Sequence, residues 1–163
     1  MDYLWTPWRM KYIQGNHHTQ GCVFCNAAAM ADGEENLVFF RGEKAFMILN
    51  RYPYTSGHVM CVPFAHVSHL GELAPEVRAE MMELVNRTVL VLEQVYHPEG
   101  FNVGMNLGEA AGAGIADHLH MHVVPRWSGD TNFMSTVGDA RVIPEALTDT
   151  YRRIKAAWDE LSR

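Results

Sequence analysis

The sequence predicts an α+β fold, with one domain over residues 1–163. Short apolar runs typical of strands are joined by links that are mostly too short for parallel crossovers, which favours an antiparallel meander sheet. One long segment with helical periodicity separates the third strand from the fourth, and a second such segment closes the chain. A length of 163 residues suffices for one core and is short for several modules.

The charge balance excludes some function classes. Thirteen Lys and Arg stand against nineteen Asp and Glu, a formal net charge of −6, so we expect no broad surface for nucleic acid or anionic membrane. Apolar runs such as 37–40 are far shorter than the roughly 20 residues of a membrane span. The first residues lack the pattern of a signal peptide, so the expected location is the cytoplasm.

The strands are predicted from alternation and from the breaks between apolar runs. A polar break containing Gly42 joins the first two strands as a hairpin, and Pro63 ends the third. Apolar and polar residues then alternate in two later segments, the period of a strand. The expected strands cover residues 37–40, 45–49, 58–62, 101–105 and 118–124.

Two helices are predicted from apolar residues that recur at three- and four-residue intervals. The long helix runs from Pro75 to His97, and proline suits its first turn. The closing helix begins at Pro144 and carries an Asp149 to Arg153 pair at i,i+4. The buried stripes are Val77, Met81, Leu84, Thr88, Val91 and Val95 in the first, and Leu147, Tyr151, Ile154, Trp158 and Leu161 in the second.

Residues 1–35 are predicted to be an extended N-terminal arm that carries Cys22 and Cys25. In a reducing compartment a Cys-x-x-Cys pair is more often a metal clip or a redox dithiol than a disulfide. The redox alternative is weakened because we expect no strand before the motif and no helix after it. Metal is favoured, and an unmetallated pair stays open; Cys61 is predicted to be a buried strand thiol.

Three histidines in strict alternation, His118, His120 and His122, are the strongest chemical signal. On a strand their rings leave one face at spacings of roughly 6–7 Å and share the edge of a cleft. Imidazole can act as nucleophile, general acid or base, or metal ligand. A three-histidine catalytic metal site and unrelated surface histidines are the alternatives. The residues expected in the core behind the row are Leu119, Met121 and Val123.

A glycine-rich loop precedes the histidine row. Gly108, Gly112 and Gly114 let backbone N–H groups approach an anion closely, as in a nest. Such a segment can also be a plain flexible turn. Next to a candidate nucleophile, it favours phosphate binding.

The chain resembles the histidine triad (HIT) family. Its signature, His-φ-His-φ-His-φ-φ with φ apolar, matches residues 118–124, and the resemblance covers nearly the whole chain. Segments 4–10, 49–54 and 122–127 are similar to the bacterial and archaeal branch with diadenosine tetraphosphate hydrolases and phosphorylases. The resemblance implies a HIT-like fold and a homodimer. The arm aromatics Trp5, Trp8 and Tyr12 are expected in the core or at the dimer seam, where scattered aromatics are commoner, and stacking on a nucleotide base is the alternative.

The resemblance also implies a reaction. His120 would attack the α-phosphorus of an adenosine polyphosphate, and water or phosphate would resolve the nucleotidyl-histidine. His122 would hydrogen-bond the phosphate or the leaving oxygen, and His58 would orient the site. Asn50 would bind the ribose, unless it only caps a turn. The expected phosphate contacts are Asn106, Gly112, Ala113 and Gly114.

Zinc is the cofactor that the resemblance implies, in a structural role. Its expected ligands are Cys22, Cys25, His66 and His118, with His69, His17 and His18 as competitors. Three other functions stay open: a nucleoside phosphoramidase with the same intermediate, a nucleotide-binding protein with incidental activity, and a metal-dependent hydrolase. The sequence does not distinguish hydrolysis from phosphorolysis, since neither water nor phosphate needs a recognisable motif.

Overall fold

The computed structural model describes residues 21–131 and 145–162, which form five strands and three α-helices. No helix among them is both long and apolar enough to cross a membrane. The strands are β1 (Val38–Arg41), β2 (Ala45–Leu49), β3 (Val59–Pro63), β4 (Gly100–Met105) and β5 (Met121–Arg126). The helices are α1 (Val23–Ala29), α2 (Pro75–Tyr96) and α3 (Leu147–Glu160).

The five strands form one sheet in the order β1-β2-β3-β5-β4, and every neighbouring pair is antiparallel. The predicted α+β class and antiparallel sheet are therefore confirmed. The order differs from a simple meander, because β5 lies between β3 and β4 and leaves β4 at the edge. In this register Met60 lies opposite His122, which brings the start of β3 beside the histidine row.

The core lies between the sheet and the two long helices. Helix α2 packs on β2, β3 and β5, and α3 packs on β1 and α2. The predicted stripe of α2 is confirmed at its centre, while Val77 and Val95 at its ends are only half-buried. The buried residues of α2 are Met81, Leu84, Val85, Thr88, Val91 and Leu92.

Helix α3 confirms most of its predicted stripe, since Tyr151, Ile154 and Trp158 are buried and Leu147 packs against the core. The prediction for Leu161 is wrong. That side chain is 47% exposed because the helix ends at Glu160 and the chain turns there. Pro144, where the helix was expected to begin, lies outside the described residues.

The predicted ion pair in α3 is also wrong. Asp149 pairs with Arg152 at 3.5 Å, whereas Arg153 pairs with Glu145 at 2.7 Å. Arg153 also donates to the carbonyl of Val95 at 3.0 Å. Arg153 is held at the end of α2 by its bond to Val95, and it pairs with Glu145 there. Its position against α2, and not the i,i+4 spacing within α3, therefore determines its ion-pair partner.

The main departure from the predicted extended arm is α1, which begins directly after Cys22. The expectation that no helix follows the Cys-x-x-Cys is wrong. Within residues 21–131 and 145–162 no side chain caps the start of α1, and partners distant in sequence satisfy its last carbonyls. Arg41 donates to Ala28 O at 2.7 Å and to Met30 O at 2.8 Å, and Asn36 donates to Ala27 O at 3.0 Å.

Strand β5 begins three residues later than predicted, at Met121. The segment before it bonds elsewhere: the N–H of Leu119 donates to Val67 O at 2.7 Å. His118 and His120 thus precede the regular strand. Leu119, Met121 and Val123 are buried, at 2%, 9% and 0% exposed, as expected of the core side of the row.

Gly57 combines a left-handed backbone with close contacts to α2. Its φ is +76°, and an added Cβ would lie 3.1 Å from Leu92 Cδ2 and 3.1 Å from two ring carbons of Tyr96. Both the left-handed backbone and the contact with α2 therefore oppose any larger residue.

We expect Gly57→Ala to lower the free energy of unfolding by about 2–4 kcal/mol, the sum of left-handed strain and overpacking. Denaturant unfolding followed by circular dichroism measures it. The control is Gly71→Ala, where nothing lies within 4 Å of the added Cβ. We expect that variant to change stability by no more than about 0.5 kcal/mol, and equal losses in both variants would contradict the argument.

Candidate active site

The ring of His120 is held in one tautomer. Its Nδ1 lies 2.8 Å from the carbonyl oxygen of His118, and because a carbonyl only accepts, Nδ1 must carry the proton. The lone pair of the neutral ring is then on Nε2, which no donor among the described residues contacts. Burial lowers the pKa of His120, so the ring is neutral at neutral pH.

His122 is held in the opposite tautomer through His58. The N–H of Tyr54 donates to Nδ1 of His58 at 3.1 Å, so the proton of this buried ring is on Nε2. That Nε2–H donates to Nδ1 of His122 at 2.9 Å. His122 therefore accepts at Nδ1 and carries its own proton on Nε2.

The two rings together offer complementary chemistry. His120 presents a lone pair, His122 presents an N–H donor, and their centroids are 4.9 Å apart. His120 is 5% exposed and packs at 4.9 Å against the ring of Phe24, so it lies deeper than the open cleft edge that was predicted. A nucleophile beside a hydrogen-bond donor is the arrangement that in-line displacement at phosphorus needs.

His118 belongs to a different group of side chains. Its Nδ1 lies 3.2 Å from Cys22 Sγ and 3.6 Å from Cys25 Sγ. Its Nε2 lies 2.9 Å from the carbonyl oxygen of Pro63, so it donates there and leaves the lone pair on Nδ1. Burial lowers the pKa of His118, which keeps that lone pair available at neutral pH.

The donor atoms of Cys22, Cys25, His66 and His118 all lie within 4.8 Å of one another. Cys25 Sγ is 3.3 Å from Nδ1 of His66. In tetrahedral zinc with the usual Zn–S and Zn–N bonds, neighbouring sulfur and nitrogen ligands are about 3.5 Å apart. The bond from His118 to a backbone carbonyl is also typical of a metal ligand. The cluster is therefore compatible with zinc.

The competing metal ligands do not join this cluster. Among the described residues it consists of two cysteines and two histidines, and His69 is outside it. His17 and His18 lie outside the described residues, as do Trp5, Trp8 and Tyr12. A three-histidine metal site is disfavoured, because Nδ1 of His118 contacts the two thiols and its Nε2 donates to Pro63 O, so neither ring nitrogen is left to share an ion with His120 and His122.

The glycine loop adopts the left-handed conformations that only glycine accepts readily. Gly108 has φ +82° and Gly112 has φ +85°. Asn106 Nδ2 donates to Gly112 O at 3.3 Å. The N–H of Gly112 donates to Glu109 O at 2.8 Å, and that of Ala113 to Gly108 O at 3.4 Å. Phosphate binding by these amides and by Gly114 stays a prediction.

Asn50 lies at the end of β2, beside the histidines. Its Oδ1 accepts from the N–H of Tyr52 at 2.9 Å, the turn-capping arrangement, and its Nδ2 lies 3.3 Å from Nδ1 of His58. A role in ribose binding stays a prediction. His58, expected to orient the site, is in contact with His122.

Sequence reasoning missed two aromatic residues at the site. The ring of Phe24 lies 5.4 Å from that of His118 and 4.9 Å from that of His120. The ring of Tyr54 lies 4.5 Å from His58 and 6.0 Å from His122. Phe24 stands inside the Cys-x-x-Cys, and Tyr54 four residues before His58, but neither spacing predicts a contact.

Comparison with known proteins agrees with this arrangement. Residues 33–129 match the HIT domain. AP-4-A phosphorylase of Mycobacterium tuberculosis is 42% identical over 166 aligned positions, covering 97% of this chain and 85% of that protein. Asymmetrical bis(5′-nucleosyl)-tetraphosphatase of Schizosaccharomyces pombe is 30% identical over 93 positions, which cover 57% of this chain and 50% of that protein. A crystal structure of a Zn-bound histidine triad family protein from Mycobacterium smegmatis is similar with a TM-score of 0.70 at 30% identity. The match covers 87% of this chain and 96% of that protein.

Proposed function

Because the chain belongs to the HIT family, we propose that it cleaves dinucleoside polyphosphates of the diadenosine tetraphosphate type through a covalent nucleotidyl-His120. The observation that carries this proposal is the pairing of the Nε2 lone pair of His120 with the Nε2–H of His122, on rings 4.9 Å apart. The similarity to AP-4-A phosphorylase supports the substrate class.

In the first step Nε2 of His120 attacks the α-phosphorus of one adenosine. An N–P bond forms, the bond from that phosphorus to the bridging oxygen breaks, and ATP leaves as an anion while its departing oxygen accepts a hydrogen bond from the Nε2–H of His122. The His120 ring becomes cationic and keeps its Nδ1–H on the carbonyl of His118, which stabilises the charge. Positioning matters more than acid strength for this kind of transfer.

In the second step an anionic oxygen of the acceptor attacks the same phosphorus, the N–P bond breaks, and His120 regains the lone pair on Nε2 and becomes neutral. We assign inorganic phosphate as the acceptor, so the products are ADP and ATP. The phosphorylase relative, which aligns with 97% of the chain, supports this assignment. Water is the second candidate, supported by the shorter match to the asymmetrical tetraphosphatase, and would give AMP and ATP.

The remaining predicted contacts fit around this pair. Asn50 would hold the ribose, while Asn106 and the loop residues Gly112, Ala113 and Gly114 would hold phosphate after their internal hydrogen bonds rearrange. His118 supports His120 through its carbonyl and is not assigned to the substrate.

The test is product analysis by chromatography after incubation of the purified protein with diadenosine tetraphosphate, with and without inorganic phosphate. We expect ADP and ATP in equal amounts, and only when phosphate is present. AMP and ATP without phosphate would replace phosphorolysis by hydrolysis. An inactive wild-type protein would overturn the proposed function.

A pair of histidine variants tests the nucleophile in the same assay. We expect His120→Asn to lower kcat by at least about 10³-fold, because the covalent step is lost. The matched control is His97→Asn: His97 is exposed, ends α2 at φ +47°, and asparagine tolerates that conformation. Turnover of His120→Asn equal to that of the control would remove the assignment.

We further propose that zinc binds Cys22, Cys25, His66 and His118 in a structural role. Four protein ligands leave no open position for a substrate, so the ion would join α1 to the loop after β3 and to the segment before β5. Both cysteines must bind as thiolates, which suits the reducing cytoplasm that the sequence predicts.

We expect about one zinc per chain in the wild type by elemental mass spectrometry. The double variant Cys22→Ser, Cys25→Ser is expected to hold none and to melt at least about 5 °C lower. Cys61→Ala is the control: this thiol is buried in β3 outside the cluster, so its loss weakens the core while zinc is retained. Zinc retained by the double variant would refute the site.

We also propose that a second copy of the chain pairs along β4. This strand is at the edge of the sheet, and Val103 is 45% exposed although its register partner Val123 is fully buried. The apolar face of the sheet thus extends to Val103, beyond the part that the helices cover. In the described part of the chain no strand pairs with the outer edge of β4, so this edge is open to a second copy.

Light scattering coupled to size exclusion measures the assembly. We expect twice the chain mass for the wild type and a monomer for Val103→Lys, since a charge would be buried in the joined sheet. Leu161→Lys, at a 47% exposed position at the end of α3, is the control and should stay dimeric. A monomeric wild type, or a dimeric Val103→Lys, would exclude this interface.

A further inference from the structure

The loop between β2 and β3, residues 50–58, folds back on His58. The N–H of Tyr54 donates to Nδ1 of His58, and the N–H of His58 donates to Thr55 O at 3.2 Å. Thr55 Oγ1 donates to Pro125 O at 2.8 Å, which ties the loop to β5, the strand that carries His122. The loop therefore fixes the ring of His58 and is itself attached to the strand of His122, so it holds the two histidines together.

The ring of Tyr54 packs against the rings of both of these histidines. It lies 4.5 Å from the His58 ring at 46° and 6.0 Å from the His122 ring at 27°, nearly parallel to it. Tyr54 is half-buried, whereas Tyr52 in the same loop is 47% exposed. An aromatic ring in this place excludes water that would compete for the Nε2–H of His58 or the Nδ1 of His122.

Loss of the Tyr54 ring would have a specific chemical consequence for His122. Both histidines owe their tautomers to hydrogen bonds, from Tyr54 N–H to His58 and from His58 to His122. If either ring rotates, His122 can carry its proton on Nδ1 and present a lone pair towards the reacting phosphate. The donor needed by the departing oxygen would then be absent, while the substrate could still bind.

We propose that Tyr54 is a positioning residue whose ring keeps the His58–His122 pair in the arrangement that directs the Nε2–H of His122 to the leaving group. The inference rests on the proposed function of His122. The ring contacts carry it, so a phenylalanine should replace the tyrosine and an aliphatic residue should not.

The kinetic test compares Tyr54→Leu with Tyr54→Phe and with the loop control Tyr52→Leu. On diadenosine tetraphosphate we expect Tyr54→Leu to lower kcat about 10- to 100-fold with KM within about threefold. The other two variants should retain kcat within about threefold. A loss confined to KM, or an equal loss in Tyr52→Leu, would overturn the inference.

A leaving-group series separates positioning from a general structural defect. Adenosine 5′-phosphate esters of p-nitrophenol and of phenol differ in how much their departing oxygen needs a hydrogen-bond donor, since only p-nitrophenol leaves readily as an anion. We expect Tyr54→Leu to slow the phenyl ester more than the p-nitrophenyl ester by about tenfold. Equal slowing of both esters would refute the role.

The tautomers are measured directly by ¹⁵N NMR of histidine-labelled protein, which needs no turnover. We expect Nε2–H at His58 and His122 in the wild type and in Tyr54→Phe, and a mixture at His122 in Tyr54→Leu. Tyr54→Met serves where the leucine variant does not fold. A single unchanged tautomer in the aliphatic variant would overturn the inference, whereas an inactive wild type defeats only the proposed function.

Discussion

The hydrogen bond from Nδ1 of His120 to the carbonyl of His118 is the constraint on which the site depends. It decides which nitrogen of the buried ring is free, and burial then keeps that nitrogen unprotonated at neutral pH. The carbonyl is itself immobilised, because the His118 ring is fixed between Pro63 and the two cysteines. The cluster of two cysteines and two histidines can in this way fix the orientation of His120, which lies outside it.

The opposite edge of the site is fixed by a second, independent set of contacts. Tyr54 and His58 belong to the loop after β2, and their hydrogen bonds orient His122 without any contribution from the cysteines. One ring is therefore left as an acceptor and its neighbour as a donor, by two different backbone groups. Because imidazole exchanges these roles with a single proton shift, both anchors are needed to keep them distinct.

Much of the fold followed from patterns along the chain. Apolar periodicity predicted α2 and most of α3, and alternation predicted strands that the structure confirms with shifted ends. The failures share a cause: α1, the partner of Arg153 and the late start of β5 all depend on distant groups. The carbonyls of α1 are satisfied by Asn36 and Arg41, and Leu119 bonds to Val67. No local propensity reports such contacts.

The sequence by itself determined the chemistry available to this protein: a row of three imidazoles, a pair of thiols and a flanking glycine loop, in a chain similar to a known family. Only the tertiary structure decided how the row is divided. His118 joins the cysteines, His120 keeps a lone pair and His122 keeps a proton. The physical reason is that spacing along a strand says which side chains share a face, whereas a tautomer depends on the hydrogen-bond partner of each ring nitrogen, and those partners come from elsewhere in the chain.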